Sequence, residues 1–211
     1  VTSREAVNQV QRLVRPANFG HTNILDPLAS GVLVLCLGTA TRLVEYVQRM
    51  PKTYLATFLL GRYSDTEDIE GHVTVLPDPP IPTRQHAEAV LANFLGTILQ
   101  QPPIYSALKI RGRRACDLAR QGKPVVLKTR SITIEELKIR TYNYPQLTLD
   151  VKCGSGTYVR SLGRDIGSAL GTAAVMSSLE RTAVGCFDIT QAETLEQLKH
   201  SNIVNKLLPA T

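Results

Sequence analysis

The spacing of apolar positions along the chain alternates between helical and strand periods. Val7, Val10, Leu13 and Val14 recur at helical spacing behind Thr2-Ser3-Arg4-Glu5. That tetrad is a capping box, in which Thr and Glu three residues apart satisfy each other's backbone amides. A helix is predicted there, stopped by Pro16. Val32 to Leu37 is a short apolar run between Gly31 and Gly38, as expected of a strand buried on both faces, and Thr39 to Val47 reads as a helix.

Lys52 to Leu60, rich in Thr, Tyr, Phe and Leu, predicts a strand, and Ser64 to Gly71 a polar turn. The Pro-rich stretch Leu76 to Pro82 predicts a rigid connection. Helices are expected over Thr83 to Phe94 and Arg113 to Arg120, with Gly96 and Gly122 near their ends. Ile132 to Arg140 and Leu147 to Cys153 predict strands separated by Asn143-Tyr144-Pro145, with Leu147, Leu149, Val151 and Cys153 alternating onto one face. Thr157 to Leu170 predicts a helix whose stripe is Val159, Leu162, Ile166 and Leu170. Arg160 and Arg164 lie a turn apart off that stripe and read as a solvated face. Strands and helices interleave without a strict βαβ rhythm, which predicts an α+β fold with a mixed, mostly antiparallel sheet flanked by helices.

The 211 residues are 43% hydrophobic and 20% charged, the composition of a folded protein of one or at most two domains. A chain of this size buries roughly 70% of its unfolded surface, so its core needs no metal or disulfide staple. No stretch approaches the roughly 18 to 20 apolar residues of a membrane span, and Val1 to Glu5 lacks the apolar core of a signal peptide. A soluble, cytoplasmic protein is expected, with no membrane partner. Cys36, Cys116, Cys153 and Cys186 are scattered without a C-x-x-C pair, and none of the four histidines is spaced as H-E-x-x-H. Reduced cysteines and no metal are therefore expected. Lys and Arg number 24 against 18 Asp and Glu, a net charge of +6 that favours phosphate-bearing partners but is shared by proteins that bind no nucleic acid.

Two segments could carry chemistry. In Gly20 to Gly31, Asp26 followed by Pro27 fits a helix N-cap with Pro at the first helical position; it equally offers a carboxylate as nucleophile or base. Gly154-Ser155-Gly156, ahead of a helix, resembles a phosphate-binding loop without its lysine. Tyr54 and Tyr105 fit the core as well as a site.

Taken together, the motifs closely resemble the TruB family of tRNA pseudouridine synthases over nearly the whole chain. Gly20 to Leu33 is similar to the family's G-H-T-G-T-L-D-P-x-A-x-G-V-L, and Lys52-Thr53-Tyr54 to its K-x-Y. Gly61 to Gly71 resembles G-x-x-T-D-T-x-D-x-x-G, Cys153 to Arg160 resembles C-S-x-G-T-Y-I-R, and Gln101 to Lys109 matches a further block. The resemblance implies that Asp26 adds covalently to the target uridine, that Tyr54 stacks on the flipped base and assists proton removal from C5, and that Arg160 pairs with the aspartate. It implies that His21 helps hold the T-loop open and that Tyr158 and Leu179 line the pocket, with Lys109 and Arg181 as further RNA-binding residues.

The implied reaction is isomerisation of uridine to pseudouridine in the T-loop of tRNA. It is redox-neutral and needs no cofactor. The implied partner is the tRNA T-arm, bound by a monomer without a protein partner. A non-catalytic tRNA-binding chaperone on the same fold is the alternative, and a subunit guided by a small RNA a third reading. Asn23, Ile24, Ser64, Gly154 and Glu180 depart from the family pattern. The chain opens inside the family's L-D-K-P-x-G-x-T-S motif, keeping only Thr2-Ser3. Residues 1–211 are expected to form one catalytic domain, with no room for a PUA domain after Leu208.

Overall fold

The computed structural model describes residues 2–14, 18–22, 24–200 and 203–208, so Pro16 and Asn23 lie outside the described residues. The chain divides into two compact units, residues 1–53 with 180–211, and residues 54–179.

The first unit opens with helix α1 (Ser3–Leu13). Thr2 caps it, accepting from the Glu5 amide at 3.2 Å while its own amide donates to Glu5 at 2.8 Å. Val7 and Val10 are buried as the helical spacing requires, whereas Leu13 is 42% exposed. Strands β1 (Phe19–His21), β2 (Ala29–Gly31) and β3 (Leu35–Leu37) follow, β1 and β3 pairing antiparallel. The apolar run from Val32 therefore forms strand only in its second half. Its first half is fixed by single bonds: Val32 donates to the Arg181 carbonyl at 2.8 Å and accepts from the Arg181 Nε at 2.8 Å. The expected helix after Gly38 begins as a 3-10 turn (Gly38–Leu43) before α2 (Val44–Arg49). Val32, Val47 and Val184 form this unit's small core.

Strand β4 (Lys52–Leu60) leads into the second unit, through the short strands β5 (Arg62–Tyr63) and β6 (Thr74–Val75) to α3 (Arg84–Ala92), capped by Thr83. Next come β7 (Gly96–Gln100), the short hairpin β8 (Lys109–Ile110) and β9 (Arg113–Arg114), and α4 (Ala115–Arg120). That helix starts two residues later than its sequence suggests because Arg113 and Arg114 pair with Lys109 and Ile110. Strands β10 (Arg130–Asn143) and β11 (Gln146–Cys153), helix α5 (Val159–Ala169) and the first part of strand β12 (Ala174–Val184), as far as Leu179, complete it. The chain ends through β13 (Phe187–Asp188) and α6 (Leu195–His200).

The main sheet runs β13-β12-β4-β11-β10-β7, with β2 paired to β12, and β10 lies antiparallel to both β11 and β7. Leu147, Leu149 and Val151 are 0% exposed and Cys153 is 1%. Full burial of such side chains stabilises by roughly 1.5–3 kcal/mol each. Helix α5 lies against β4 at Gly163, where a Cβ would fall 2.1 Å from the Phe58 ring. Only glycine lets helix and strand come that close. This α+β arrangement, a mixed sheet flanked by helices, agrees with the expectation. Among the described residues no helix is long and apolar enough to cross a membrane.

Candidate active site

Strand β11 ends at Cys153 and the chain turns through Gly154 and Thr157, whose hydroxyl donates to the Gly154 carbonyl at 3.0 Å. Tyr158 is the N-cap of α5 and has no side-chain cap of its own. Its main chain is held by Gln100 instead: the Tyr158 amide donates to Gln100 Oε1 at 2.9 Å, and Gln100 Nε2 donates to the Tyr158 carbonyl at 3.0 Å. The segment's likeness to a phosphate loop is thereby limited, because the Tyr158 amide is already bonded. The Tyr158 ring lies under the Arg130 guanidinium, 4.7 Å from its centroid.

Two residues on, Arg160 is 6% exposed. Its Nη1 donates to the Thr66 carbonyl at 2.8 Å and pairs with Asp68 Oδ2 at 3.2 Å, and its Nη2 donates to the Tyr105 carbonyl at 3.2 Å. Asp68 is itself fixed: its Oδ1 accepts from the Thr66 hydroxyl at 2.6 Å and the Glu70 amide at 3.1 Å. The loop carrying it is tied to β12, since Met176 donates to the Glu67 carbonyl at 3.0 Å and accepts from the Ile69 amide at 3.0 Å. Glu67, in the left-handed region at φ 65°, accepts from the Ser161 hydroxyl at 2.6 Å and pairs with Arg164. Burial pushes the Glu67 carboxyl up, with Ser161 and Arg164 pulling the other way. Tyr105's own hydroxyl is pushed up by its hydrogen bond to Asp65 and, secondarily, by burial.

Arg160 therefore does not belong to the solvated face its sequence position suggested. The 64–71 loop and the 100–105 segment cover that side of α5. A buried guanidinium stays charged only where carbonyls and carboxylates replace its water, as they do here.

In the other unit, Asp26 is half-buried and opens a reverse turn, its carbonyl accepting from the Ala29 amide at 2.9 Å. No helix follows, which corrects the N-cap reading: Pro27's fixed φ suits the second position of a turn as well as the first of a helix. Ser3 anchors the preceding residue, its Oγ accepting from the Leu25 amide at 3.0 Å. His21 Nδ1 donates to the Thr22 carbonyl at 3.0 Å. Arg181 is 2% exposed and ties to Val32, a buried brace rather than a surface cation. Beside it, Gly31 has φ +103° and a Cβ there would fall 2.2 Å from the Arg181 carbonyl, so glycine is required.

Tyr54 is half-buried on β4, Leu179 is 7% exposed on β12, and Lys109 is exposed on β8. Lys109, Arg113, Arg114 and Arg120 line an open basic hollow of about 600 Å³. In the second unit, bonds join Arg160 to Tyr105 and Asp68, Gln100 to Tyr158, and Glu67 to Ser161; Asp26, His21 and Arg181 belong to the first unit. Asp68, Glu67 and Gln100 carry no role in the sequence reading. Asp68 lies within the Gly61–Gly71 block, and Gln100 is a polar residue at a buried strand position. Among the described residues no three His, Cys, Asp or Glu side chains converge as a metal site.

The family model described as TruB family pseudouridylate synthase (N terminal domain) matches residues 11–159. That of the tRNA pseudouridylate synthase B C-terminal domain matches residues 160–208. The tRNA pseudouridine synthase B of Francisella tularensis subsp. novicida (strain U112) is 41% identical over 213 residues, covering 100% of this chain and 70% of that protein. Its namesake in Francisella philomiragia is 41% identical over 208 residues, covering 98% and 69%. Among solved structures, a chain of a Cbf5-Nop10-Gar1 complex matches with TM-score 0.68 and 29% identity, over 89% of this chain and 46% of that one. A chain of an H/ACA RNP bound to a substrate RNA containing 2'-deoxyuridine matches with TM-score 0.68 and 25% identity, over 93% and 48%. The chain spans about half the length of these two structural relatives.

Proposed function

The chain belongs to the TruB family of pseudouridylate synthases, and from that premise we propose that it isomerises uridine to pseudouridine in the T-loop of tRNA. In this reaction the N1–C1′ bond breaks, the uracil rotates, and a C5–C1′ bond forms as C5 loses a proton and N1 gains one. Atoms and electrons balance without a cofactor.

Asp26 supplies the carboxylate that adds covalently to the uridine and leaves again as a carboxylate once the uracil has been rejoined through C5. Tyr54 stacks on the extruded base and assists removal of the C5 proton. His21 holds the opened loop, Tyr158 and Leu179 line the base pocket, and Lys109 with its basic neighbours meets backbone phosphate. Extruding a base costs a few kcal/mol, which stacking on an aromatic ring offsets.

The observation that carries this reading is Arg160, a guanidinium 6% exposed and fixed by two carbonyls and a carboxylate. A cation held that rigidly out of water is a preorganised electrostatic group of the kind that chemistry on an anionic or polarised substrate uses. Incubating the protein with a T-stem-loop transcript and mapping pseudouridine tests the proposal. Conversion confined to one uridine of the T-loop supports it. Tight binding without conversion would favour the RNA-chaperone reading.

A further inference from the structure

Gln100 ends β7 at 0% exposure, and both polar atoms of its side chain are bonded to the main chain of one residue, Tyr158. A buried primary amide is costly unless it is paired, and this one is paired in both directions. The same segment then grips α5 twice more. The Gln101 carbonyl accepts from Arg164 Nη2 at 2.9 Å, and the Tyr105 carbonyl accepts from Arg160 Nη2 at 3.2 Å. Pro102 and Pro103, both buried, fix the path between these grips.

We propose that Gln100 is a positioning residue for the reaction, setting the first turn of α5 and, through it, Arg160. The inference rests on the reading of the chain as a uridine isomerase. Gln100 touches neither the base nor the reacting atoms; it acts through Tyr158 and the strand that delivers the Tyr105 carbonyl. Rotation of the Tyr158 peptide would carry Arg160 out of register with Thr66, Asp68 and Tyr105. A displacement of about 1 Å in such a group can cost about a hundredfold in rate.

Gln100→Glu separates positioning from packing because it keeps shape and volume. Ionised, the carboxylate accepts from the Tyr158 amide but has no hydrogen for the Tyr158 carbonyl. Protonated, it restores both bonds. Arg130 stands opposite Gln100 on β10, Arg164 donates to the neighbouring carbonyl from α5, and Glu67 and Asp165 pair with Arg164. These groups are present in the parent too, so each rate is divided by the parent's at the same pH.

The kcat of Gln100→Glu on the T-stem-loop transcript is expected to be at least about tenfold below the parent at about pH 8. It should recover to within about threefold at about pH 5.5, with KM unchanged within about twofold. Gln100→Asn, neutral but one methylene short of both partners, is expected to lose about tenfold at either pH without recovery. If Gln100→Glu does not fold, the kcat of Gln100→Asn alone decides between the two outcomes. A folded variant with parental kcat at about pH 8, or a Gln100→Glu deficit independent of pH, overturns the proposal. A parent that converts no uridine overturns this inference and the activity reading together, whereas an active parent with unaffected variants overturns this inference alone.

Discussion

The Arg160 guanidinium is surrounded by the carbonyls of Thr66 and Tyr105 and the carboxylate of Asp68, groups drawn from two stretches of sequence distant from α5. The Asp26 segment rests on a local turn closed by the Ala29 amide, with one longer-range tie, the Ser3 hydroxyl on the Leu25 amide. The difference follows from what each residue is asked to do. A buried cation survives only in a tightly bonded cradle, so its surroundings serve stability directly and, on the proposed reading, activity too. Asp26, proposed as the nucleophile, is half-buried in a turn whose backbone sets where its carboxylate starts.

The largest effect that would break this contrast is expected at Asp68. Asp68→Ala removes the carboxylate from a pair in which both side chains are almost fully buried. Urea denaturation should show a loss of about 3–5 kcal/mol, the cost of breaking a buried ion pair from one side. A loss below about 1 kcal/mol would mean that the cradle contributes little to folding.

Next in size, Gly163→Ala drives a methyl group into Phe58, one turn from Arg160 on α5. The expected cost is about 1–3 kcal/mol, with lower conversion because the helix must shift. Activity unchanged at that loss of stability would separate the helix position from the chemistry.

These two regions also differ in how far local sequence reveals them. The stripe of α5 was legible: Val159, Leu162, Ile166 and Leu170 are all buried at the predicted spacing. The capping box on α1 and the alternation of β11 were legible for the same reason, since each depends on residues a few positions apart. Arg160 was not, because a single helix period has one core face, while α5 is covered on a second side by loops distant in sequence. Asp26-Pro27 was ambiguous because helix start and reverse turn ask the same φ of proline. The run from Val32 promised a longer strand than forms, as its first half pairs through Arg181, nearly 150 positions away. The candidate residues came from motif resemblance, whereas the residues that hold Arg160 had to be seen folded.

A smaller effect sharpens the cradle side. Burial raises the Glu67 carboxyl above its ordinary value of 4.5, so folding favours its protonated form. That contribution is complete below about pH 4.5 and is lost as pH rises through the folded value. Glu67→Gln removes the titration. Between about pH 4 and pH 7, the Tm of the variant should therefore gain on the parent by a few degrees, readable by calorimetry. Asp165, raised by burial as well, titrates in both proteins and leaves the difference intact. A difference that does not change with pH would remove Glu67 from the account.

Asp26→Asn, smallest in its effect on the fold, is the most direct test of the central claim. Its stability is expected within about 1 kcal/mol of the parent. On the T-stem-loop transcript it should bind within about tenfold of the parent, yet form pseudouridine at less than about a thousandth of the parent rate, because an amide cannot make the covalent adduct. Turnover at about a tenth of the parent rate or more, by a variant that folds and binds normally, would contradict Asp26 as the nucleophile.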